Sequence, residues 1–480
     1  MKLMSLKQKT FKGVIWSAVE RFSTQGVQFV FSILLARLLT PNDYGMIAML
    51  TIFLAICQTF IDSGFANAVI RKIDRNEKDM ATMFFFNIGM SLVCYAIIYF
   101  AAPFIASFYK MDELTLILRI LALRLIIQSF ATIQATNLTI RIDFKKQAKI
   151  SLSAAILSGI VGIGFAYKGY GVWALVIQSL FSSTFSSILY WVVVRWHPQC
   201  FFNKESFKSL FSYGSKLLIS GLLDTIYNNL YPLVIGKFYT PAQLGAFAKA
   251  DHFSQFPSQN VMRILHRVSF PVLSTLQNDP QRMRSCFLKF INYSALIIFP
   301  LMLGLLALSK PMTLLFLTER WSEMIPLLQI LCVAMMWYPV HAINLNVLQV
   351  LGRSDLFLKL EIIKKILGLT TLLITLPISI TAMCVGQIVN SILCLFINTY
   401  YSRKFINAGI VEQMKFLFPT LLNSATMAAI ILAINSLLPQ DKYALQIGIG
   451  LTVGTLYYFA TNYLFNRNIC KEILGLLKKK

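Results

Sequence analysis

Seven polar residues stand out because apolar sequence surrounds them: Arg21, Arg263, Arg267, Gln28, Asn228, Glu20 and Asp224. A guanidinium presents a planar fork of N–H donors that matches two phosphate oxygens. Amides, with tyrosines such as Tyr227 and Tyr231, suit sugar hydroxyls and rings. An acid held in an apolar stretch can bind and release an ion. The chemistry expected of the set is therefore binding and movement of an anionic or amphipathic solute. Arg21, Gln28, Asn228, Arg263 and Arg267 are the expected substrate ligands, and Glu20 and Asp224 the ion-coupling candidates.

Spacing supports this grouping. Ser17, Glu20, Thr24 and Gln28 recur every three or four residues, so a helix would place them on one face. Two hundred residues later, Ser220, Asp224 and Asn228 repeat the register of Glu20, Thr24 and Gln28. A third run, His252, Gln255, Gln259, Arg263, His266 and Arg267, is basic and mostly of the same spacing. A charge at the centre of a membrane helix costs roughly 2.5–3.5 kcal/mol. Such stripes should therefore face protein or water. The plainer reading of Glu20, Asp224 and the arginines is that they pair and hold helices together.

Other polar residues read as structural. Asp62 lies near a span end, and Glu361 with Lys364 and Lys365 suits an i,i+4 pair that snorkels. His341 and Asn344 share a face, where a lone histidine is more often a hydrogen-bonded packing group. Arg119 and Arg124 are five apart, share no face and make a poor joint site. The eight scattered cysteines form no C-x-x-C pair and read as structural thiols, so neither metal nor cofactor is expected. No G-x-x-x-x-G-K-[ST] is present, which excludes a P-loop ATPase, and Asn137 in "NLT" is a chance sequon within a span. No enzyme is expected.

The elements that must position these residues are membrane helices. Of 480 residues, 57% are apolar and 13% charged, with a mean hydropathy of +0.66. The expected fold is an all-α polytopic membrane protein with about fourteen spans. These lie near 14–36, 44–68, 80–106, 114–139, 149–167, 170–194, 210–236, 243–275, 287–308, 323–350, 358–380, 382–402, 413–437 and 443–465. The outward joints are short, so no folded extracytoplasmic catalytic domain is expected. The first span carries charge and no convincing cleavage site, so it is expected to stay uncleaved.

The net charge of +24 is a topology signal rather than a nucleic-acid signal. Only seven of the 44 Lys and Arg fall in odd-numbered joints: Arg37, Lys110, Lys168, Lys237, Lys310, Arg320 and Lys442. Another 28 fall at the termini and around the even-numbered joints. By the positive-inside rule both termini are cytoplasmic.

"RLLTPNDYGMIA" from Arg37 and "KFYTPAQLGAFA" from Lys237 are the same turn twice. Thr40 and Thr240 suit N-caps, Pro41 and Pro241 suit N1, and Asp43 and Gln243 suit the reciprocal N3 position of a capping box. Gly45 and Gly245 suit close helix approach. Six spans separate the copies, an even number, so the halves share one orientation. The expected organisation is two parallel six-helix lobes, 1–200 and 201–405, facing each other across a cavity that opens by rocking, plus two helices and a basic tail at 406–480.

"ARLLTPNDYG", "FIDSGFANAVIRK" from Phe60 and "IRIDFKK" from Ile140 resemble bacterial polysaccharide exporters of the Wzx flippase type. These form the colanic-acid/lipopolysaccharide-exporter branch of the polysaccharide transport family, in the multidrug/oligosaccharidyl-lipid/polysaccharide superfamily. The resemblance covers essentially the whole chain. It implies an inner-membrane flippase for undecaprenyl-diphosphate-linked oligosaccharide, powered by an ion gradient or the membrane potential. It also implies that Arg21 and Arg263 bind diphosphate and sugar, with membrane lipid, a polysaccharide polymerase and glycosyltransferases as candidate partners. Two alternatives stay open: a cation-coupled drug exporter of the same superfamily, and a membrane polysaccharide polymerase or ligase.

Overall fold

The computed structural model describes residues 23–465, which form helices without a strand among them. In chain order these are α1 (23–38), α2 (Pro41–Asp62), α3 (Phe65–Arg71), α4 (Glu77–Tyr109), α5 (Glu113–Ile140), α6 (Phe144–Tyr167), α7 (Val172–Val194), α8 (Lys204–Asn228) and α9 (Leu230–Phe238). There follow α10 (Pro241–Thr275), α11 (Pro280–Phe316), α12 (Met324–Met335), α13 (Tyr338–Val350), α14 (Ser354–Thr375), α15 (Ile380–Ile406), α16 (Ile410–Leu437) and α17 (Tyr443–Phe465). Ten helical stretches are long and apolar enough to cross a membrane. The expected spans 210–236, 243–275 and 358–380 fall on α8–α9, α10 and α14, which are helical but too polar to qualify on composition. The span 14–36 begins outside the described residues.

Packing divides the chain into two compact units, one ending at Gly245 and one beginning at Ala246. The division falls five residues into α10, so α8 and α9 belong to the first unit. In that unit α8 packs on α2, α3 and α4. An aromatic core of Phe65, Phe84 and Trp196 is buried there. The second unit buries Trp321 and Phe299 completely.

Both repeated turns have the expected caps. Thr40 N–H donates to Asp43 Oδ2 at 2.8 Å while Asp43 N–H donates back to Thr40 Oγ1 at 3.3 Å. Thr240 and Gln243 make the same exchange at 3.2 and 3.3 Å. The turns also seat each other. A Cβ on Gly45 would overlap the Pro241 carbonyl oxygen, and one on Gly245 would overlap that of Pro41. Each glycine therefore admits the other turn's backbone.

The "DSG" of the second span is a break. Ser63 and Gly64 adopt φ of 39° and 68°, ending α2 and starting α3. Two left-handed residues in succession stop a helix. The break rests on α8 at Gly214, where a Cβ would overlap the Ser63 carbonyl.

Prolines interrupt several helices, and each leaves the carbonyl four residues earlier without its N–H partner. Three of those carbonyls are taken by side chains from another helix. Pro103 frees Tyr99, whose oxygen accepts from Arg119 Nε at 3.1 Å. Pro300 frees Leu296, which accepts from Tyr458 Oη at 2.9 Å. Pro339, just past the α12–α13 break, frees Met335, which accepts from Ser258 Oγ at 2.6 Å. Pro232 explains the α8–α9 break in the same way, since it removes the bond to Asn228.

At the start of α4, Asp79 is fully buried, 2.8 Å from Lys72 Nζ, and completes a capping box with Asn76. Asp79→Ala would strand the Lys72 charge and undo the cap. The expected loss is about 3 kcal/mol, the low end for a buried pair because Lys72 is partly exposed. Thermal unfolding in detergent checks this; an unchanged midpoint would show that water replaces the carboxylate freely.

Candidate functional site

The most ordered polar array lies along α10. Gln255 Nε2 donates to Asp251 Oδ2 at 2.7 Å, Gln259 Nε2 to Gln255 Oε1 at 2.6 Å, and Arg263 Nη2 to Gln259 Oε1 at 3.1 Å. Each partner is four residues on, so the ladder climbs one helical turn per bond, roughly 18 Å in all. Both amides point their NH₂ groups toward the acid and their carbonyls toward the guanidinium. An acid and a base at opposite ends thus hold the intervening dipoles in one direction, as in other hydrogen-bond chains of low-dielectric interiors.

Neighbouring helices fix this face. Ser258 binds the Met335 carbonyl, and Asn346 Nδ2 donates to Ser269 Oγ at 3.2 Å, so α10 is pinned to α12 and α13 above and below Arg263. Arg263 Nη1 is buried and has no hydrogen-bond partner. Arg267 is exposed one turn further on, and His266 stacks on Phe270 with centroids 5.6 Å apart. Two guanidiniums one turn apart, one of them held by the ladder with N–H groups left over, can take adjacent oxygens of a diphosphate. Lys249, in the turn before Asp251, is buried beside Phe253 and Trp321.

A second polar space lies inside the first unit, a cavity of about 350 Å³ enclosed mainly by α1, α5, α6 and α7. Gln28 lines it, together with Arg124, Gln128, Gln178 and serines of α7. The third space is apolar: a groove of about 550 Å³ between α11, α16 and α17, lined by residues such as Leu301, Met427 and Leu451.

The expected site residues are therefore dispersed. Arg263 and Arg267 share the end of the α10 ladder, with Gln255 and Gln259 beneath them. Gln28 lies in the first-unit cavity. Asp224 and Asn228 are exposed on α8, whose register against α2 is marked by a 3.0 Å contact between the Thr225 and Thr59 hydroxyls. Glu20 and Arg21 lie outside the described residues. Of the residues read as structural, His341 bonds Ser391 Oγ at 3.0 Å and Asn398 at 3.3 Å, while Asn344 joins Gln413 and Ser402 in a buried network. Glu361 pairs with Lys364, three residues on. Gln58 Nε2 donates to Asp62 Oδ1 at 3.1 Å.

Two residues gain importance beyond the sequence expectation. Asp251 stands one residue before the run that begins at His252, and extending the four-residue spacing backward from Arg263 would have reached it. Arg124 shares no site with Arg119, as expected, but makes one with α7. The signal was the polar series Gln178, Ser179, Ser182 and Ser183.

The chain's likeness to known proteins agrees with this architecture. A family model described as polysaccharide biosynthesis protein matches residues 34–326. The teichuronic acid biosynthesis protein TuaB of Bacillus subtilis is 27% identical over 355 residues, covering 73% of each chain. The lipopolysaccharide biosynthesis protein WzxC of Escherichia coli is 24% identical over 406 residues, covering 82% of each. Among solved structures, the lipid II flippase MurJ in an inward closed conformation superposes with a TM-score of 0.77 at 14% identity, covering 95% of this chain and all of that one. An inward-facing multidrug resistance transporter of the MATE family gives 0.63 at 14% identity, covering 79% and 95%. At such identities the structural matches establish the fold: a helical, multi-pass membrane protein of the MurJ and MATE type. With more than half of its length matched by the family model, this chain belongs to the polysaccharide biosynthesis protein family.

Proposed function

We propose that the protein is a flippase that carries undecaprenyl-diphosphate-linked oligosaccharide across the bacterial inner membrane for cell-surface polysaccharide synthesis. The observation that carries the reading is the α10 ladder, which presents Arg263 with an uncommitted N–H group one turn before Arg267. Diphosphate is the part of such a substrate that needs guanidiniums. The hydroxyl-rich glycan needs amides and serines, and the prenyl chain needs apolar surface of the kind lining the α11–α16–α17 groove. The likeness to MurJ, a lipid II flippase, and to the polysaccharide biosynthesis relatives points the same way. Exposure of the polar path alternately to the two membrane faces moves the headgroup, with Arg21 a further ligand and Glu20 and Asp224 the candidates for ion coupling. Fourteen spans with both termini cytoplasmic fit the distribution of Lys and Arg.

The test is genetic. A strain lacking the gene is expected to lose surface polysaccharide, accumulate lipid-linked repeat units on the cytoplasmic side and regain export when the gene is restored. Sensitivity to cationic drugs without a polysaccharide defect would instead indicate a drug exporter. Glycosidic-bond formation by the purified protein would indicate a polymerase or ligase.

A further inference from the structure

The first-unit cavity has a composition that structural packing does not require. Arg124 sits eleven residues into α5, roughly 17 Å along the helix. That is about half the thickness of a ~30 Å hydrocarbon core. Gln28 approaches the same depth from the Thr40 turn. A guanidinium at this depth normally marks a pathway or a paired charge. Yet among the described residues the lining contains no Asp or Glu. Arg124 Nη1 makes a 3.3 Å hydrogen bond to Ser179 Oγ, and its Nε is buried without a partner.

Arg119 shows what a structural arginine looks like in the same helix. It binds the proline-freed carbonyl of Tyr99 and lies over the Tyr99 ring at 4.1 Å. Arg124 has neither arrangement. Around it stand Ser182, Ser183, Gln128 and Gln178, with Gln128 Nε2 only weakly engaged to Ser183 Oγ at 3.3 Å. These groups both donate and accept.

Size completes the description. At about 350 Å³ the cavity falls within the usual 300–1,000 Å³ range of small-molecule sites. It equals about twelve water volumes at ~30 Å³ each. A bare inorganic anion would fill little of it. A ring with several hydroxyls would fill more, and one carboxylate on that ring would meet the guanidinium. We propose that this cavity is a binding site for an acidic sugar residue, with Arg124 reading the carboxylate and the α7 serines and surrounding amides reading the ring hydroxyls. The site lies wholly within the first unit. It deepens the proposed export function and rests on it, because it names a class of glycan that the protein would recognise.

The test uses the full chain in lipid nanodiscs and saturation-transfer NMR with glucuronate, glucose and inorganic phosphate as probes. Glucuronate is expected to bind, glucose at least tenfold more weakly, and phosphate to compete poorly. Arg124→Gln should weaken glucuronate binding at least tenfold, while Arg119→Gln, at the structural arginine of the same helix, leaves it within twofold. Should Arg124→Gln fail to fold, Ser182→Leu, which fills the cavity without touching the charge, is expected to abolish binding. Equal binding of glucose and glucuronate, equal competition by phosphate, or glucuronate binding indifferent to Arg124→Gln or Ser182→Leu would overturn the proposal. Loss of the export reading is distinguishable: wild-type protein that binds glucuronate but restores no polysaccharide keeps the site and removes the export function.

Discussion

Replacing Arg263 by glutamine is expected to reduce surface polysaccharide at least tenfold while leaving the amount of protein in the membrane unchanged. Glutamine can still bond Gln259, so α10 keeps its helix and its anchors at Ser258 and Ser269. What disappears is the charge and the uncommitted N–H group at the end of the ladder. A buried hydrogen bond to a charged group contributes about 1.5–3 kcal/mol. Loss of one such contact to the diphosphate therefore corresponds to tenfold or more. Arg263→Lys should recover only part of the activity, because an ammonium supplies a point charge rather than a fork. Gln259→Leu should give an intermediate loss, since it keeps the guanidinium but removes the group that orients it. Immunoblotting of membranes alongside quantification of surface polysaccharide checks the series. Wild-type export by Arg263→Gln and Arg263→Ala at normal protein levels would remove α10 from the substrate path.

The second large effect is steric. Gly45→Ala and Gly245→Ala each place a methyl group on the backbone of the opposite turn, at Pro241 and Pro41. A flexible side chain could move aside, but a capped helix start cannot without losing its cap. Overpacking costs about 1–3 kcal/mol, and a backbone obstacle argues for the upper end. Each variant should therefore melt roughly 5–10 °C lower in detergent. The double variant should melt well above the additive expectation, because the first methyl already parts the two turns and the second then finds space. Full additivity would show that the two glycines do not share one contact.

The sequence carried much of the fold because membrane helices leave coarse signals. Apolar runs, basic joints and the Thr-Pro turns marked where helices begin and end, and both capping boxes follow from side chains three residues apart. Breaks inside spans were less legible. The Ser63–Gly64 interruption needs two successive left-handed residues. The break between α12 and α13 depends on Pro339 together with a donor on α10, Ser258, 77 residues before the Met335 carbonyl it binds. The site was legible wherever its partners share a helix. Gln255, Gln259 and Arg263 are related by a fixed spacing, and one more step back along it reaches Asp251. Arg124 was not legible as a site because its partners lie on α7, and only tertiary packing brings α5 and α7 together. Arg119 and Arg124 look alike in sequence. The nearby Pro103 and Tyr99 give one of them a structural partner, and nothing local provides one for the other.

The central claim is that the protein moves a lipid-linked glycan across a bilayer. Its most direct test is translocation of undecaprenyl-diphosphate-linked oligosaccharide in liposomes containing only the purified protein, under an imposed ion gradient. Arrival of the glycan in the opposite leaflet is read by its accessibility to an added glycosidase. Translocation is expected to depend on the protein, to exceed that of protein-free vesicles at least tenfold and to be lost in Arg263→Gln. Folded wild-type protein that moves no more glycan than empty vesicles, under gradients of either proton or sodium and of either sign, would contradict it.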